Sequence, residues 1–231
     1  MYGTTSAFIC VYLRFHPLMN TIAVIDYGMG NLRSVCKAIE HVAPEAEVRL
    51  VTTADAVRRA DRVVFPGQGA IPGCIVALDK SGMREALVES MQAKPFLGIC
   101  LGLQALYKSS EEGGGTPCLD ELPGAVRRFD ASEAGASRGL KIPHMGWNRV
   151  HQERPHPLWR GIAQDTRFYF VHSYYADTAD PTVVAGATDY GVRFTSAAAR
   201  ANIFAVQFHP EKSQRAGLQL LANFVAWDGQ A

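Results

Sequence analysis

Short apolar runs alternate with segments of helical spacing along the first hundred residues. Helical spacing follows the first run as far as about residue 41 and returns over residues 83–93. The runs, which are rich in β-branched or aromatic side chains as buried strands are, cover residues 21–26, 47–51, 62–65 and 96–99. Strands that alternate with helices predict a parallel sheet with right-handed crossovers.

The second half of the chain has a different pattern. Residues 111–137 are rich in glycine, proline and acidic side chains, which predicts a surface excursion with a short strand near residues 125–129. The apolar runs that follow have little helix between them, so we expect partly antiparallel strands. These runs cover residues 168–175, 183–187, 193–196 and 203–208. A last amphipathic helix is predicted over residues 216–227. The pattern therefore predicts one α/β domain with a mostly parallel central sheet flanked by helices, and antiparallel strands in its C-terminal half.

The first residues stand apart from this pattern. Residues 7–13 are apolar, but the run is too short to span a bilayer, and it lacks the basic start and small-residue cleavage site of a signal peptide. We expect residues 1–18 to be an N-terminal extension and residues 19–231 to form the domain.

Composition narrows the function classes. The 231 residues are 48% hydrophobic, which suits one domain with a sizeable core. The 23 basic and 22 acidic residues nearly cancel and form no long basic run, so nucleic acid binding has no electrostatic support. Five cysteines without a Cys-x-x-Cys pair predict reduced thiols in a cytoplasm. Because the histidines show no ligand spacing, we expect no metal.

Residues 95–102, Pro-Phe-Leu-Gly-Ile-Cys-Leu-Gly, place a cysteine between two glycines where a strand gives way to a helix. This pattern is typical of a nucleophile elbow, in which Gly98 and Gly102 permit the sharp turn and the close packing of the helix. Cys100 would then lie at a helix N-terminus, where the helix dipole favours the thiolate. On its own, the pattern also fits a small buried cysteine in a turn.

A base and a group to orient it stand near the other end of the chain. Pro210 steers His209 away from helical conformation, and in an extended chain residues two apart point to the same side. His209 and Glu211 can therefore reach one site, with His209 taking the thiol proton and Glu211 holding the imidazole. Taken singly, they also fit a half-buried histidine at a strand end and an acidic residue in a first helical turn.

Residues 98–104 and 208–211 together resemble the class I, or triad, glutamine amidotransferases. Residues 25–32, 143–148 and 168–175 are similar to segments of the glutaminase subunits of imidazole glycerol phosphate synthase, an enzyme of histidine biosynthesis. The resemblance implies hydrolysis of glutamine to glutamate and ammonia by Cys100, His209 and Glu211, without a cofactor.

The resemblance also implies roles for other positions. Backbone N–H groups of Leu101 and of Gly69, in the loop 67–69, would form an oxyanion hole. The implied substrate-binding residues are Gly69, Gln104, Glu112, Ser173 and Tyr174. The implied contacts with a partner subunit are Asn31, Tyr169 and Lys212.

That partner would be a (β/α)₈-barrel cyclase, bound as a heterodimer. The cyclase would use the ammonia to convert the nucleotide PRFAR into imidazole glycerol phosphate and AICAR. Several alternatives remain: the glutaminase subunit of another amidotransferase, a non-catalytic binding subunit of the same fold, a cysteine peptidase or a glutamyl hydrolase. The presence of all three triad residues argues against the non-catalytic subunit.

Overall fold

The computed structural model describes residues 20–28, 32–130 and 141–230. The expected extension over residues 1–18 and the implied partner contact Asn31 lie outside these ranges. Within them, no helix is long and apolar enough to cross a membrane.

Strand and helix alternate in the first part of the described chain. The strands are β1 (Thr21–Ile25), β2 (Glu47–Val51), β3 (Arg62–Gly67) and β4 (Phe96–Cys100). The helices are α1 (Leu32–Val42), α2 (Ala54–Arg59), α3 (Ile71–Ser81), α4 (Met83–Ala93) and α5 (Leu101–Gln104). The four strands pair in parallel in the order β2-β1-β3-β4. The predicted βα alternation is therefore confirmed.

Short strands dominate the remainder. They are β5 (Tyr107–Ser110), β6 (Thr116–Pro117), β7 (Leu122–Arg128), β8 (His144–Arg149), β9 (His151–Gln152), β10 (Arg167–His172), β11 (Tyr174–Thr178), β12 (Val184–Tyr190), β13 (Val192–Arg200) and β14 (Ile203–Val206). Helix α6 (Gln214–Ala226) follows the last strand. Short 3₁₀ helices cover Glu112–Gly114, Pro157–Trp159, Pro181–Val183 and Pro210–Lys212.

Twelve strands of the described ranges form one sheet. Its path is β2-β1-β3-β4-β14-β13-β11-β7-β5-β6, with β12 beside β13 and β9 beside β12. Strand β14 pairs in parallel with β4, whereas β13, β11 and β7 follow in antiparallel pairs. Strands β8 and β10 form a separate antiparallel pair. The α/β architecture with an antiparallel C-terminal part is as predicted.

Two details of the predicted pattern are wrong. The run 168–175 is two strands, β10 and β11, which belong to different sheets and are separated at Ser173. Residues 122–128 are not part of a surface excursion, because β7 pairs with both β11 and β5 and buries Leu122 and Val126. Proline and glycine at positions 123 and 124, with two exposed arginines at positions 127 and 128, hide its apolar alternation in the sequence.

Helices cover both faces of the parallel strands. Residues of α3, α4 and α5 pack against one face, around Phe65 and Phe96, and residues of α1 and α6 pack against the other, around Leu97 and Phe204. Burial on both faces explains why the parallel strands are continuous apolar runs in the sequence.

Candidate active site

Three parallel strands end side by side at one edge of the sheet. Gly67 at the end of β3 lies opposite Cys100 at the end of β4, and Val206 at the end of β14 lies opposite Ile99. The loop 67–69, the cysteine and the segment that leads to His209 therefore emerge together, where α/β proteins usually bind ligands.

Cys100 has the strained backbone of an elbow, with φ 56° and ψ −107°. A non-glycine residue rarely adopts this conformation, and such strain concentrates at functional sites. Helix α5 begins at Leu101. A Cβ atom on Gly102 would lie 1.8 Å from the Phe65 carbonyl oxygen, and one on Gly98 would lie 2.9 Å from the Gly102 oxygen. Both predicted glycines are thus required by close backbone contacts.

His209 and Glu211 form a buried pair directly after β14. His209 Nδ1 and Glu211 Oε1 are 2.9 Å apart, and the two side chains are 3% and 2% exposed. Burial alone would lower the pKa of His209, but its interactions with Cys100 and with Glu211 outweigh burial and raise this pKa to about 10. The site therefore favours the charged imidazolium form of His209 beside Cys100 and Glu211.

The other ring nitrogen of His209, Nε2, is buried and has no hydrogen-bond partner in the described ranges. Cys100 interacts with this ring electrostatically. Catalytic hydrogen bonds are often long before substrate binds, so Nε2 is free to serve a proton transfer at the sulfur.

Backbone contacts hold His209 in place. Its N–H donates to the Tyr169 carbonyl at 2.9 Å, and its own carbonyl accepts from Ser213 Oγ at 2.6 Å. The Tyr169 N–H donates in turn to Ser213 Oγ at 3.0 Å. Strand β10 thus fixes the histidine by its main chain.

A cavity of about 210 Å³ opens at this edge of the sheet. It is lined by Gln68, Gly69, Cys100, Leu101, Gln104, Val171, His172, Ser173 and His209. Six predicted site residues meet here: Gly69, Cys100, Leu101, Gln104, Ser173 and His209. Gly69 has φ 97°, a conformation that glycine adopts at little cost. The N–H of Leu101 lies in a first helical turn, where such groups have no partner within the helix.

Glu112 is not among the residues that line this cavity. Its Oε2 accepts from the Ile71 N–H at 2.7 Å and so caps helix α3, whose N-cap residue Ala70 makes no side-chain hydrogen bond. Because α3 follows the loop 67–69, Glu112 anchors the far side of that loop.

Tyr174 takes part in the hydrogen bonds of the site through its main-chain carbonyl. Its carbonyl accepts from Gln104 Nε2 at 2.9 Å and from His172 Nδ1 at 2.7 Å. Gln104 Nε2 further donates to Gln207 Oε1 at 3.0 Å, and Gln207 Nε2 donates to Cys100 Sγ at 3.7 Å. The amide nitrogen of Gln104 is thus already engaged within the protein.

Three buried polar residues, Gln207, His172 and His144, are not among the site residues that the sequence predicts. Gln207 interrupts the apolar run 203–208, which is the signal that could have identified it. His172 and His144 contact each other through ring nitrogens 2.9 Å apart, although 28 residues separate them in the chain. No local pattern in the sequence reveals such a pair.

The implied partner contacts Tyr169 and Lys212 lie on β10 and beside the triad. Along β8 more exposed residues alternate with less exposed ones, and Met145 is 64% exposed and Trp147 is 43% exposed. The half-buried ring of Tyr169 meets Trp147 edge-on, with centroids 6.1 Å apart. Lys212, also half-buried, directly follows Glu211.

Three further cysteines lie in the core of the described ranges. Burial raises the pKa of Cys36 and Cys118 to about 11 and that of Cys74 to about 12, and all three are free thiols. These are structural cysteines of the core. Within the described ranges, no group of three histidine, cysteine or carboxylate side chains could hold a metal ion.

Comparison with known proteins places this geometry in a family. The family model described as glutamine amidotransferase class-I matches residues 23–227. Imidazole glycerol phosphate synthase subunit HisH of Nitrosomonas europaea is 58% identical over 211 residues, which cover 90% of this chain and 99% of that protein. The same subunit of Aromatoleum aromaticum is also 58% identical, with the same coverage.

Solved structures agree in fold. A glutamine amidotransferase crystal structure superposes with a TM-score of 0.66 at 15% identity, covering 89% of this chain and 99% of that one. The glutaminase domain of Trypanosoma brucei CTPS with bound acivicin gives a TM-score of 0.59 at 17% identity, covering 90% and 94%. The chain therefore belongs to the class I glutamine amidotransferases and, within them, to the HisH subunits of imidazole glycerol phosphate synthase.

Proposed function

We propose that Cys100, His209 and Glu211 hydrolyse glutamine to glutamate and ammonia. The Cys100 thiolate attacks the side-chain amide carbon, and the C–N bond breaks as His209 gives its proton to the departing ammonia. Water then attacks the thioester and passes a proton through His209 to the thiolate, which releases glutamate. Glu211 holds the imidazole in the required orientation.

Backbone N–H groups stabilise the oxyanion that forms in both steps. We assign this role to Leu101 and Gly69, which face one cavity with Cys100. Each such donor contributes roughly 3 kcal/mol to transition-state stabilisation. Ser173 and the free oxygen of Gln104 suit the polar groups of glutamine. Glu112 and Tyr174 act indirectly in this proposal, through the start of α3 and through Gln104.

Ammonia is useful only if it reaches a second enzyme before it is protonated or lost. We propose that the receiver is the cyclase subunit, which makes imidazole glycerol phosphate and AICAR from PRFAR in the cytoplasm. Met145 and Trp147 support a docking surface on β8, because exposed neighbouring apolar side chains mark protein contact sites. Tyr169 and Lys212 join this surface to the triad, and Asn31 is assigned to it from the resemblance alone.

The observation that carries the catalytic proposal is the buried His209–Glu211 pair beside the strained Cys100. Glutamate release from glutamine tests it, measured for the chain alone and with a cyclase subunit loaded with its nucleotide. We expect release that rises with the loaded partner and disappears in Cys100→Ala. Folded protein that releases no glutamate in any mixture would contradict the proposal.

A further inference from the structure

We propose that Gln207 is a catalytic residue whose side-chain N–H stabilises the thiolate of Cys100. Gln207 is fully buried directly after β14, and its Nε2 donates to Cys100 Sγ at 3.7 Å. The inference rests on the proposed role of Cys100 as the nucleophile and adds a donor outside the triad.

The surrounding network determines which end of the Gln207 amide faces the sulfur. Amide oxygen and nitrogen are assigned from their partners, and a main-chain carbonyl can only accept. Gln104 must therefore turn its nitrogen to the Tyr174 carbonyl, 2.9 Å away, and the same nitrogen reaches Gln207 Oε1 at 3.0 Å. The oxygen of Gln207 is thereby engaged, and its nitrogen is left for Cys100.

A buried histidine pair holds the Tyr174 carbonyl in turn. His172 Nδ1 lies 2.7 Å from this oxygen, and His172 Nε2 lies 2.9 Å from His144 Nδ1. Burial lowers the pKa of His172 to about 3 and that of His144 to about 4, so both rings are neutral, each with one donor and one acceptor nitrogen. Asn148 Nδ2 completes the series, 3.3 Å from His144 Nε2.

The hydrogen bonds that run from Asn148 to the Tyr174 carbonyl can be donated in one direction only, because the carbonyl can only accept. Each neutral ring donates through Nδ1 and accepts through Nε2, from Asn148 through His144 and His172 to the Tyr174 carbonyl. Reversal of the Gln207 amide would set two N–H groups against each other at Gln104. The donor toward Cys100 is thus built into the fold.

A neutral donor suits this position. It stabilises the negative sulfur without adding a second cation, which would lower the pKa of the neighbouring His209. A hydrogen bond to an ionised group is stronger than one between neutral groups, and exclusion of water strengthens it further.

The experiment follows alkylation of Cys100 by iodoacetamide as a function of pH, by peptide mass spectrometry, in the full chain and in Gln207→Met. Methionine has similar length and no N–H donor. We expect the midpoint of the pH–rate profile to move up by about one to two pH units, the size of one hydrogen bond to a charged group. Loss of the same hydrogen bond should lower the kcat for glutamine roughly 10-fold to 100-fold, with KM nearly unchanged. Cys100→Ala gives the background labelling of other cysteines.

A second variant keeps the test decisive. Gln104→Leu does not touch the sulfur but removes the N–H bond to Gln207 Oε1 and the one to the Tyr174 carbonyl, so we expect a smaller shift in the same direction. If Gln207→Met is folded and its alkylation profile matches the parent chain, the proposal is overturned, even where activity falls. If Gln207→Met does not fold, an unshifted Gln104→Leu profile overturns it. Because alkylation requires neither glutamine nor a cyclase, failure of the glutaminase proposal would be seen separately.

Discussion

The main-chain carbonyl of Tyr169 accepts a hydrogen bond from the N–H of His209 at 2.9 Å. The side chain of the same tyrosine meets the exposed Trp147. Strand β10 therefore contacts the proposed base through its backbone and the proposed docking surface through a side chain. A partner that presses on Trp147 and Tyr169 would act on the residue that carries the proton.

Trp147→Ala should weaken binding of the cyclase by a factor of about 30 or more, as expected for a large aromatic residue at an interface. Its effect on glutamate release by the chain alone should be small, because the tryptophan side chain is outside the catalytic cavity. Titration of labelled cyclase with the chain measures the dissociation constant. Leu50→Ala is the matched control, since Leu50 is 46% exposed on β2. Equal binding by the two variants would place the docking surface elsewhere.

Glu211→Gln should reduce kcat by roughly 100-fold to 10,000-fold, because the imidazole loses the group that orients it and stabilises its charge. Steady-state glutamate release with the loaded cyclase measures the loss. A reduction of less than a few-fold would show that His209 does not need Glu211.

The same pair predicts a pH dependence of stability. Cys100 and Glu211 raise the pKa of His209 to about 10, so between about pH 6.5 and pH 10 the His209 ring keeps in the folded chain a proton that it loses in the unfolded chain. The stabilisation is complete below about pH 6.5 and is lost as pH rises toward 10. Urea unfolding across this range should show a shallower decline in Glu211→Gln than in the parent chain. Parallel curves would contradict the charged pair.

Much of this site could be predicted from the sequence because its elements are local. The elbow around Cys100 needs two glycines at fixed spacing, and His209 and Glu211 are two residues apart in an extended segment. The register of parallel strands then brings the two segments together, and both strands were recognisable as apolar runs.

The rest of the site depends on contacts between residues that are far apart in the sequence. His144 and His172 meet only because β8 and β10 pair, and β8 is not an apolar run. Gln104 has the spacing of a substrate ligand, but its partners come from β11 and from the segment after β14. Glu112 caps α3, a helix whose early glycine and alanine N-cap weaken its signal in the sequence. Sequence spacing gives the position of such groups and not their partners.

Buried neutral histidines predict sensitivity to acid. Burial and the nearby Arg154 lower the pKa of His156 to about 4, so the unfolded chain binds more protons between about pH 6.5 and pH 4, and stability falls as pH drops through this range. His156→Asn keeps an acceptor for the Leu158 N–H. Between pH 8 and pH 5, the free energy of unfolding of His156→Asn should therefore fall by roughly 2 kcal/mol less than that of the parent chain.

Urea unfolding at the two pH values measures this difference. The exposed His151, replaced by asparagine in the same way, is the matched control for the loss of one histidine. An equal change in both variants would assign the effect to composition and not to burial.

Tyr27 offers a test of an unpaired polar group beside the oxyanion loop. The Tyr27 hydroxyl is buried against Gly67, since a Cβ added at Gly67 would lie 2.1 Å from the hydroxyl oxygen. This hydroxyl makes no hydrogen bond in the described ranges. The Cys74 thiol is beside it. Tyr107, also buried, has its hydroxyl 2.6 Å from Thr178 Oγ1. Removal of an unpaired buried hydroxyl relieves a desolvation cost, whereas removal of a paired one leaves its partner unsatisfied.

Tyr27→Phe should therefore unfold with a free energy equal to that of the parent chain or higher by up to about 1 kcal/mol. Tyr107→Phe, the matched control, should lose about 1 kcal/mol or more. Both substitutions keep the ring and its packing, so the difference isolates the hydroxyl. Equal losses in urea unfolding would mean that the Tyr27 hydroxyl is paired in solution, with the Cys74 thiol as its nearest candidate partner. In that case Cys74→Ala should make the Tyr27→Phe substitution neutral, which a double-mutant cycle of the two changes would measure.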